Sequence, residues 1–350
     1  MYPQTIKSLS LELTDKCQAR CPMCVRNYFG GKERPFVKNV EITLEQFKEW
    51  FPVEFLQGLD DCFACGSLGD PVIVKDCLEI FKYIRSVNER CTLSIHTNGS
   101  LRKTSWWEEL AKYNVTVIFG IDGFKGEHEL YRIGTNWDKI IENAKAFINA
   151  GGAAKADTIV FAHNENRVNE LKDYLLSIGF ESVNIRITNR FYGNNKFPVQ
   201  DLNGKHVYDL ETPKHPEWQT VTFKPNVARL VQKEEFTKLL DNATINPICV
   251  NKQEVYISAQ GNVYPCCFAA NETEYDVEEV DPNLTILRDR LVESTKQFNA
   301  DITIPNLHGT NIIDALGLAK WETKLDKHWT TDKCFMCVKN CASNIKGIAE

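Results

Sequence analysis

The chain has 350 residues, 43% hydrophobic and 25% charged, with a formal net charge of −6. A chain this long buries a core without disulfides. Its acidic balance argues against a nucleic-acid or anionic-membrane surface, and it holds no run of about 18 apolar residues to span a bilayer. The opening MYPQTIKSLSLELTD has no charged region followed by an apolar one, so no signal peptide is expected and the expected location is cytoplasmic.

The elements alternate along the chain. SLSLELT (8–14) reads as a strand and stops at the cysteine-bearing DKCQARCPMC. A Thr-capped helix over 43–53 follows, then a strand (59–66) and a helix (74–87). Next come a strand (91–99) ending at Asn-Gly, a helix (105–114), a strand (115–123) and a helix (137–152) closed by glycine. A strand (156–162), a helix (167–179) and a strand (182–188) complete the series. Strict alternation implies a parallel sheet with right-handed crossovers. Six units suit a curved, incomplete barrel, whose ligands gather at the C-terminal strand ends. The cysteine loop, GSLGDP, HTNG and GIDGF all fall at such ends, which points to one site built from all four.

After about residue 190 the chain becomes rich in Asn, Gly, Pro and His. Residues 191–245 read as a bridging segment with room for a hairpin, and 246–350 as a smaller unit with a hairpin (EVYISAQGNVYPCC), short helices and a terminal CFMCVKNC.

Thirteen cysteines are an odd number for a disulfide framework, and no export signal accompanies them. Cys62, Cys65, Cys77 and Cys91 sit in apolar stretches and read as core. The other nine fall in two groups. The first, Cys17-x3-Cys21-x2-Cys24, contains Pro22, which disfavours a helical stripe. Three thiolates on one loop hold three irons of a 4Fe–4S cube and leave the fourth open. The second group is Cys249, Cys266, Cys267, Cys334, Cys337 and Cys341. A hairpin plus a knuckle of this kind clamps either a cluster or a zinc ion, since both accept four thiolates.

The Cys-x3-Cys-x2-Cys loop after a first strand resembles the radical S-adenosylmethionine (SAM) superfamily, and the likeness extends over roughly residues 8–190. Further segments follow in that superfamily's order. SLGDP resembles its glycine-rich stretch, with Gly69, Asp70 and Pro71 in the last three places and Leu68 where the first Gly is usual. HTNG, with Thr97 and Asn98, and GIDGF, with Asp122, resemble segments lining the SAM ribose and methionine; Gly120 stands where Ser is usual. In LYRIG, Arg132 matches an arginine that meets the SAM carboxylate, and Met23 stands where an aromatic backbone meets the adenine.

The resemblance implies a partial (β/α)6 TIM-like barrel (1–190), the bridge (191–245) and a small α+β Twitch/SPASM-like auxiliary-cluster domain (246–350). It implies a 4Fe–4S cluster on Cys17, Cys21 and Cys24, SAM on the residues just named, and an auxiliary 4Fe–4S cluster. The expected auxiliary ligands are Cys249, Cys266, Cys334 and Cys337, with Cys341 as an alternate fourth. SPASM proteins carry seven cysteines in this region and this chain has six, so the shorter Twitch arrangement with one auxiliary cluster fits better. Cys267, directly after a ligand, is a candidate hydrogen-atom donor to a substrate radical; the plainer readings are an alternate ligand or a packed thiol.

The implied chemistry is reductive cleavage of SAM to a 5′-deoxyadenosyl radical, which takes a hydrogen atom from the substrate. The expected substrate is a peptide or protein side chain. The first strand starts within about ten residues of the N-terminus, so no leader-binding domain is expected, which weakens the peptide reading without displacing it; the alternative is a small polar metabolite undergoing dehydrogenation, epimerisation or rearrangement. A non-catalytic iron–sulfur or zinc-binding module is the third reading, against which the series of SAM-lining segments argues. The expected reductant is a flavodoxin or ferredoxin.

Overall fold

Alternating burial along short β-branched runs places the strands, and apolar residues at helical spacing place the helices against them. The computed structural model describes residues 3, 5–188, 190–191, 194–218, 233–274 and 282–344; part of the 191–245 bridge therefore lies outside the described residues. Six strands succeed one another with helices between them: β1 (Ser8–Leu11), β2 (Asp61–Ala64), β3 (Thr92–Thr97), β4 (Val115–Gly120), β5 (Ala154–Ile159) and β6 (Ser182–Arg186). The fold is the partial (β/α)6 TIM-like barrel expected from the sequence, with a small α+β unit after it.

By internal contacts the chain forms two compact units. The barrel unit comprises Glu12–Phe47 and Asp61–Thr220; the second unit comprises Met1–Leu11, Lys48–Asp60 and Val221–Glu350.

In the barrel unit β2 to β6 pair in chain order, all parallel, with Ala64 opposite Ile95, Ile95 opposite Val117, Phe119 opposite Ala156 and Ala156 opposite Val183. One face of β3 and of β4 is apolar and fully buried: Leu93 and Ile95 on β3, Val115, Val117 and Phe119 on β4. The helices Cys77–Val87, Thr104–Ala111, Trp137–Asn149 and Val168–Ser177 supply the covering layer. Phe119 lies at its centre, 5.3 Å from Trp107, 6.4 Å from Phe147 and 5.7 Å from Phe180. Each such side chain contributes about 1.5–3 kcal/mol on leaving water. The strands are shorter than the apolar runs that announce them. Val160 and Phe161, expected in β5, lie beyond its end; both are buried, and Phe161 packs in a separate cluster with Met23, Tyr131, Phe191, Val199 and Leu210. The last two come from a hairpin, β7 (Lys196–Gln200) and β8 (His206–Glu211), which belongs to the barrel unit.

In the second unit β1 pairs in parallel with β9 (Glu254–Ile257), Ser8 opposite Glu254 and Leu11 opposite Ile257. β10 (Val263–Tyr264) returns antiparallel through a turn in which Gly261 takes φ +80°, the left-handed region that glycine reaches without strain. Buried Glu254 accepts a 2.7 Å hydrogen bond from Ser10 Oγ. Short helices were expected beyond the hairpin; the structure has a 21-residue helix, Pro282–Ile302, as well as short ones. Trp321, 1% exposed, donates its indole N–H to the carbonyls of Ile302 and Thr303 at the end of that helix. Among the described residues no helix is long and apolar enough to cross a membrane.

Candidate active site

In the barrel unit residues 12–16 lead directly into the loop that carries Cys17, Cys21 and Cys24. Pro22 and a tight turn, Cys24 N–H to Cys21 O at 2.9 Å, keep this loop from becoming a helix. A guanidinium braces it. Arg26, 2% exposed, donates from Nε to Asp15 O (2.8 Å), from Nη1 to Cys17 O (3.4 Å) and from Nη2 to Glu33 Oε1 (2.7 Å). The carboxylate of Asp15 accepts the amides of Lys38 and Val40, both at 2.7 Å. Asn27 Nδ2 donates to Cys21 O at 3.2 Å. Sequence reasoning passed over Asp15, Arg26 and Asn27. Their signal was charged and amide residues flanking the cysteines, in a stretch too short to show periodicity.

None of the thirteen cysteines forms a disulfide. Burial, with Asp70 nearby, pushes the Cys17 thiol up; burial pushes Cys21 up to about 12 against the lowering effect of Arg132. Thiols raised in this way hold their protons near neutral pH, so binding of a metal cluster by them would be coupled to proton release. Among the described residues no three Cys, His, Asp or Glu groups converge as ligands of a single metal ion. A 4Fe–4S cube requires no such convergence, because each thiolate holds a different iron.

Two further loops interlock with this one. Asp70 caps the short turn Pro71–Ile73, and its buried carboxylate accepts Val72 N–H (3.2 Å), Thr97 Oγ1 (2.8 Å) and Asn98 N–H (2.8 Å). Asn98 turns its side chain to the cysteine loop: Oδ1 accepts Gln18 Nε2 at 2.7 Å, and Nδ2 lies 3.8 Å from Cys17 Sγ. Gly69 lies against the residues before the cysteines. A β-carbon on it would stand 2.1 Å from Thr14 O, a backbone atom that cannot swing aside. Gly69→Ala is therefore expected to cost about 1–3 kcal/mol in chemical denaturation and to weaken SAM binding in equilibrium titration.

The end of β4 carries the third contact region. Asp122, 0% exposed, accepts Ile159 N–H on Oδ1 and Arg132 Nε on Oδ2, both at 2.6 Å. The Arg132 guanidinium lies over Gly120, where a β-carbon would stand 2.4–2.7 Å from its atoms. The departure from Ser at Gly120 has this steric reason: any side chain there displaces Arg132. Asp122 also holds Arg132 firmly cationic against its burial. His128, buried, accepts the Asp122 N–H on Nδ1 at 3.1 Å and so presents Nε2 to Thr135 Oγ1 at 3.0 Å. Burial lowers its pKa to about 3, so it stays neutral. Met23 packs in the apolar cluster beside Cys21, and its carbonyl accepts Arg190 Nη1 at 3.0 Å. The sequence-selected residues of this unit thus meet at one place, the C-terminal strand ends.

In the second unit Cys249 lies on the turn Ile248–Asn251, Cys266 stands immediately before the helix Cys267–Glu274, and Cys334 is the N-cap of Phe335–Cys341. Their thiols act on one another: Cys337 feels Cys334, Cys266 and Cys249, while Cys249 and Cys266 both feel Cys341. Burial pushes Cys249 up to about 12. Hydrogen bonds from Cys337 and then Ser294 lower the Cys334 thiol, while the bond to Cys334, followed by burial, raises Cys337. A cavity of about 500 Å³ in this unit reaches Cys334 past Ser294, Asp301 and His328.

Residues 11–178 match the family model of the Radical SAM superfamily. A GTP 3′,8-cyclase of Aquifex aeolicus (strain VF5) is 21% identical over 276 residues, covering 75% of this chain and 82% of the cyclase. A cysteine-type anaerobic sulfatase-maturating enzyme of Clostridium novyi (strain NT) is 22% identical over 287 residues, covering 75% and 74%. Among solved structures, native anSMEcpe with bound AdoMet and Cp18Cys peptide has a TM-score of 0.54 at 17% identity, covering 96% of this chain and 88% of that one. This likeness shows that the fold is shared. The three-cysteine loop, the two loops locked to it and the family match show that residues 11–178 form a radical SAM domain, and the cofactors of that superfamily are a 4Fe–4S cluster and S-adenosylmethionine.

Proposed function

We propose that this radical SAM enzyme modifies a peptide or protein side chain and that its second unit holds an auxiliary 4Fe–4S cluster. The observation that carries the reading is that Cys249, Cys266, Cys334, Cys337 and Cys341, from three separate stretches, lie near enough to act on one another's thiols, with Cys249, Cys334 and Cys337 buried. The fold shared with anSMEcpe runs through both barrel and second unit, and that protein was captured with a peptide.

In this reading Cys17, Cys21 and Cys24 hold the SAM-binding cluster. The donor set fits: three thiols on one loop leave an iron open, and Gly69 and Gly120 keep β-carbons away from the two loops beside it. Bound there, the reduced cluster and SAM supply a 5′-deoxyadenosyl radical. The protein's part is to orient and to exclude water. Met23 and the apolar cluster form the wall beside Cys21. Thr97, Asn98 and Asp70 set the loop next to Cys17, and Arg132, held by Asp122, presents its remaining N–H groups near Cys21 as the partner for the SAM carboxylate. Cys249, Cys266, Cys334 and Cys337 hold the auxiliary cluster, with Cys341 within reach as the alternate fourth ligand. A flavodoxin or ferredoxin supplies the electron, and the many reduced thiols suit a cytoplasmic setting.

The test is deuterium transfer into 5′-deoxyadenosine from labelled candidates. Transfer from a peptide and none from nucleotides supports the reading; transfer from a nucleotide alone overturns it. The second reading, a small polar metabolite, is favoured by the 21% identity to a GTP 3′,8-cyclase across most of both chains.

Cys267 opens the helix that directly follows Cys266. If its thiol hands a hydrogen atom to the substrate radical, Cys267→Ala keeps both clusters and SAM cleavage while product formation falls by roughly 100-fold. Normal product formation by that variant would assign Cys267 to packing or ligation.

A further inference from the structure

The residues just before Cys17 are registered against the glycine-rich loop by three successive contacts. Thr14 O presses on Gly69, and Asp70 N–H donates to Lys16 O at 2.8 Å. The first contact in chain order belongs to Glu12. It stands two residues beyond Ser10 in the alternation of β1, and it is 0% exposed. Its Oε1 accepts the Ser67 amide at 2.8 Å and lies 3.1 Å from Cys65 Sγ, whose S–H donates to it. Its Oε2 is buried with no hydrogen-bond partner among the described residues.

Burying a carboxylate is costly, and a plain packing position would be filled by an apolar residue. An acid at this point can do what an apolar side chain cannot. It accepts from a loop amide and a thiol at once, and so fixes where the chain leaves β2 toward Gly69. We propose that Glu12 is a positioning residue for S-adenosylmethionine, setting the 65–70 loop relative to Cys17 through Ser67 N–H and Cys65 Sγ. The inference rests on the SAM cofactor and is independent of the substrate proposed above. Cys65, taken from the sequence as inert core, becomes a second-line partner of the same device.

Burial raises the Glu12 pKa from 4.5 to about 7, opposed by the hydrogen bonds it accepts from Cys65 and Ser67. Cys65 is the titratable group that faces it. Between pH 4.5 and about 7 the folded chain keeps a proton that the unfolded chain has released. The stability contributed by Glu12 is thus full below 4.5 and lost as pH rises to about 7. The amide donors favour the ionised form, so the loop is held best above that range.

The experiment uses the reconstituted full chain and equilibrium SAM titration at pH 6 and pH 8, with iron content and Tm measured on every sample. Glu12→Ala is expected to weaken SAM binding at least about tenfold with iron retained, since both hydrogen bonds vanish. Glu12→Gln keeps the shape and one acceptor; it is expected to bind SAM like the wild type at pH 6 and to lack the wild type's rise in affinity toward pH 8. Its Tm relative to the wild type is expected to climb from pH 4.5 to 7. Wild-type affinity in both variants at both pH values overturns the proposal. Loss of iron together with SAM in Glu12→Gln also overturns it, because Glu12 would then serve the cluster or the fold as a whole. Neither result depends on the identity of the substrate.

Discussion

Replacing Cys17, Cys21 and Cys24 together by alanine is expected to lower the iron content of the anaerobically reconstituted chain from about eight to about four per chain. Formation of 5′-deoxyadenosine should fall by about 1,000-fold or more, to the level of dithionite and SAM alone. Iron and sulfide analysis with EPR after reduction reads the first effect, and chromatographic assay of 5′-deoxyadenosine reads the second. The reciprocal variant, Cys249, Cys266, Cys334 and Cys337 to alanine, is expected to keep about four irons and the uncoupled cleavage of SAM. About four irons in the wild type, none in the N-terminal variant and zinc in the second unit would make that unit a structural zinc site. The two cysteine groups lie in different compact units, so either can be emptied without removing a ligand from the other.

Asp122→Ala is expected to be the most damaging single substitution to the fold near the site. The aspartate is 0% exposed and the side chain of Arg132 15%, so their ion pair is buried. Removing one partner leaves the guanidinium in the interior without its charge complement, which typically costs about 3–5 kcal/mol. The same change also strips the Ile159 amide of its acceptor. Urea denaturation at pH 7 measures the loss. The double variant Asp122→Ala/Arg132→Met is expected to recover part of it, because the stranded charge is gone. SAM affinity would not return in the double variant, which separates the positioning of Arg132 from its contribution to stability. Gly120→Ser tests the same geometry from the other side, by intruding on the space the guanidinium fills.

Much of this molecule was legible in its residues. Pro22 among Cys17, Cys21 and Cys24 already disfavoured a helix there, because proline removes an amide and the loop has no apolar continuation. The β–α alternation announced six parallel strands, because periods of 2 and 3.6 residues leave different marks. Strand ends were less legible. Val160 and Phe161 look like strand and are buried as loop, because apolarity reports burial and not backbone conformation. The long helix Pro282–Ile302 went unread because its apolar residues are sparse.

The sequence by itself determined the chemistry at hand: which thiols could hold iron, which segments accompany them, and on which ends of the strands they gather. Those are statements about residue type and local spacing, and both are written along the chain. Only the tertiary structure decided how the segments support one another. Asp70 meets Thr97 and Asn98 across 27 and 28 residues, Asp122 meets Ile159 across 37, and Glu12 meets Cys65 across 53. Such partners leave no periodic trace, since a hydrogen bond between distant residues constrains two positions and nothing between them. Likewise Gly120 reads as a departure from a pattern until the guanidinium of Arg132 is seen to occupy the space a side chain would need.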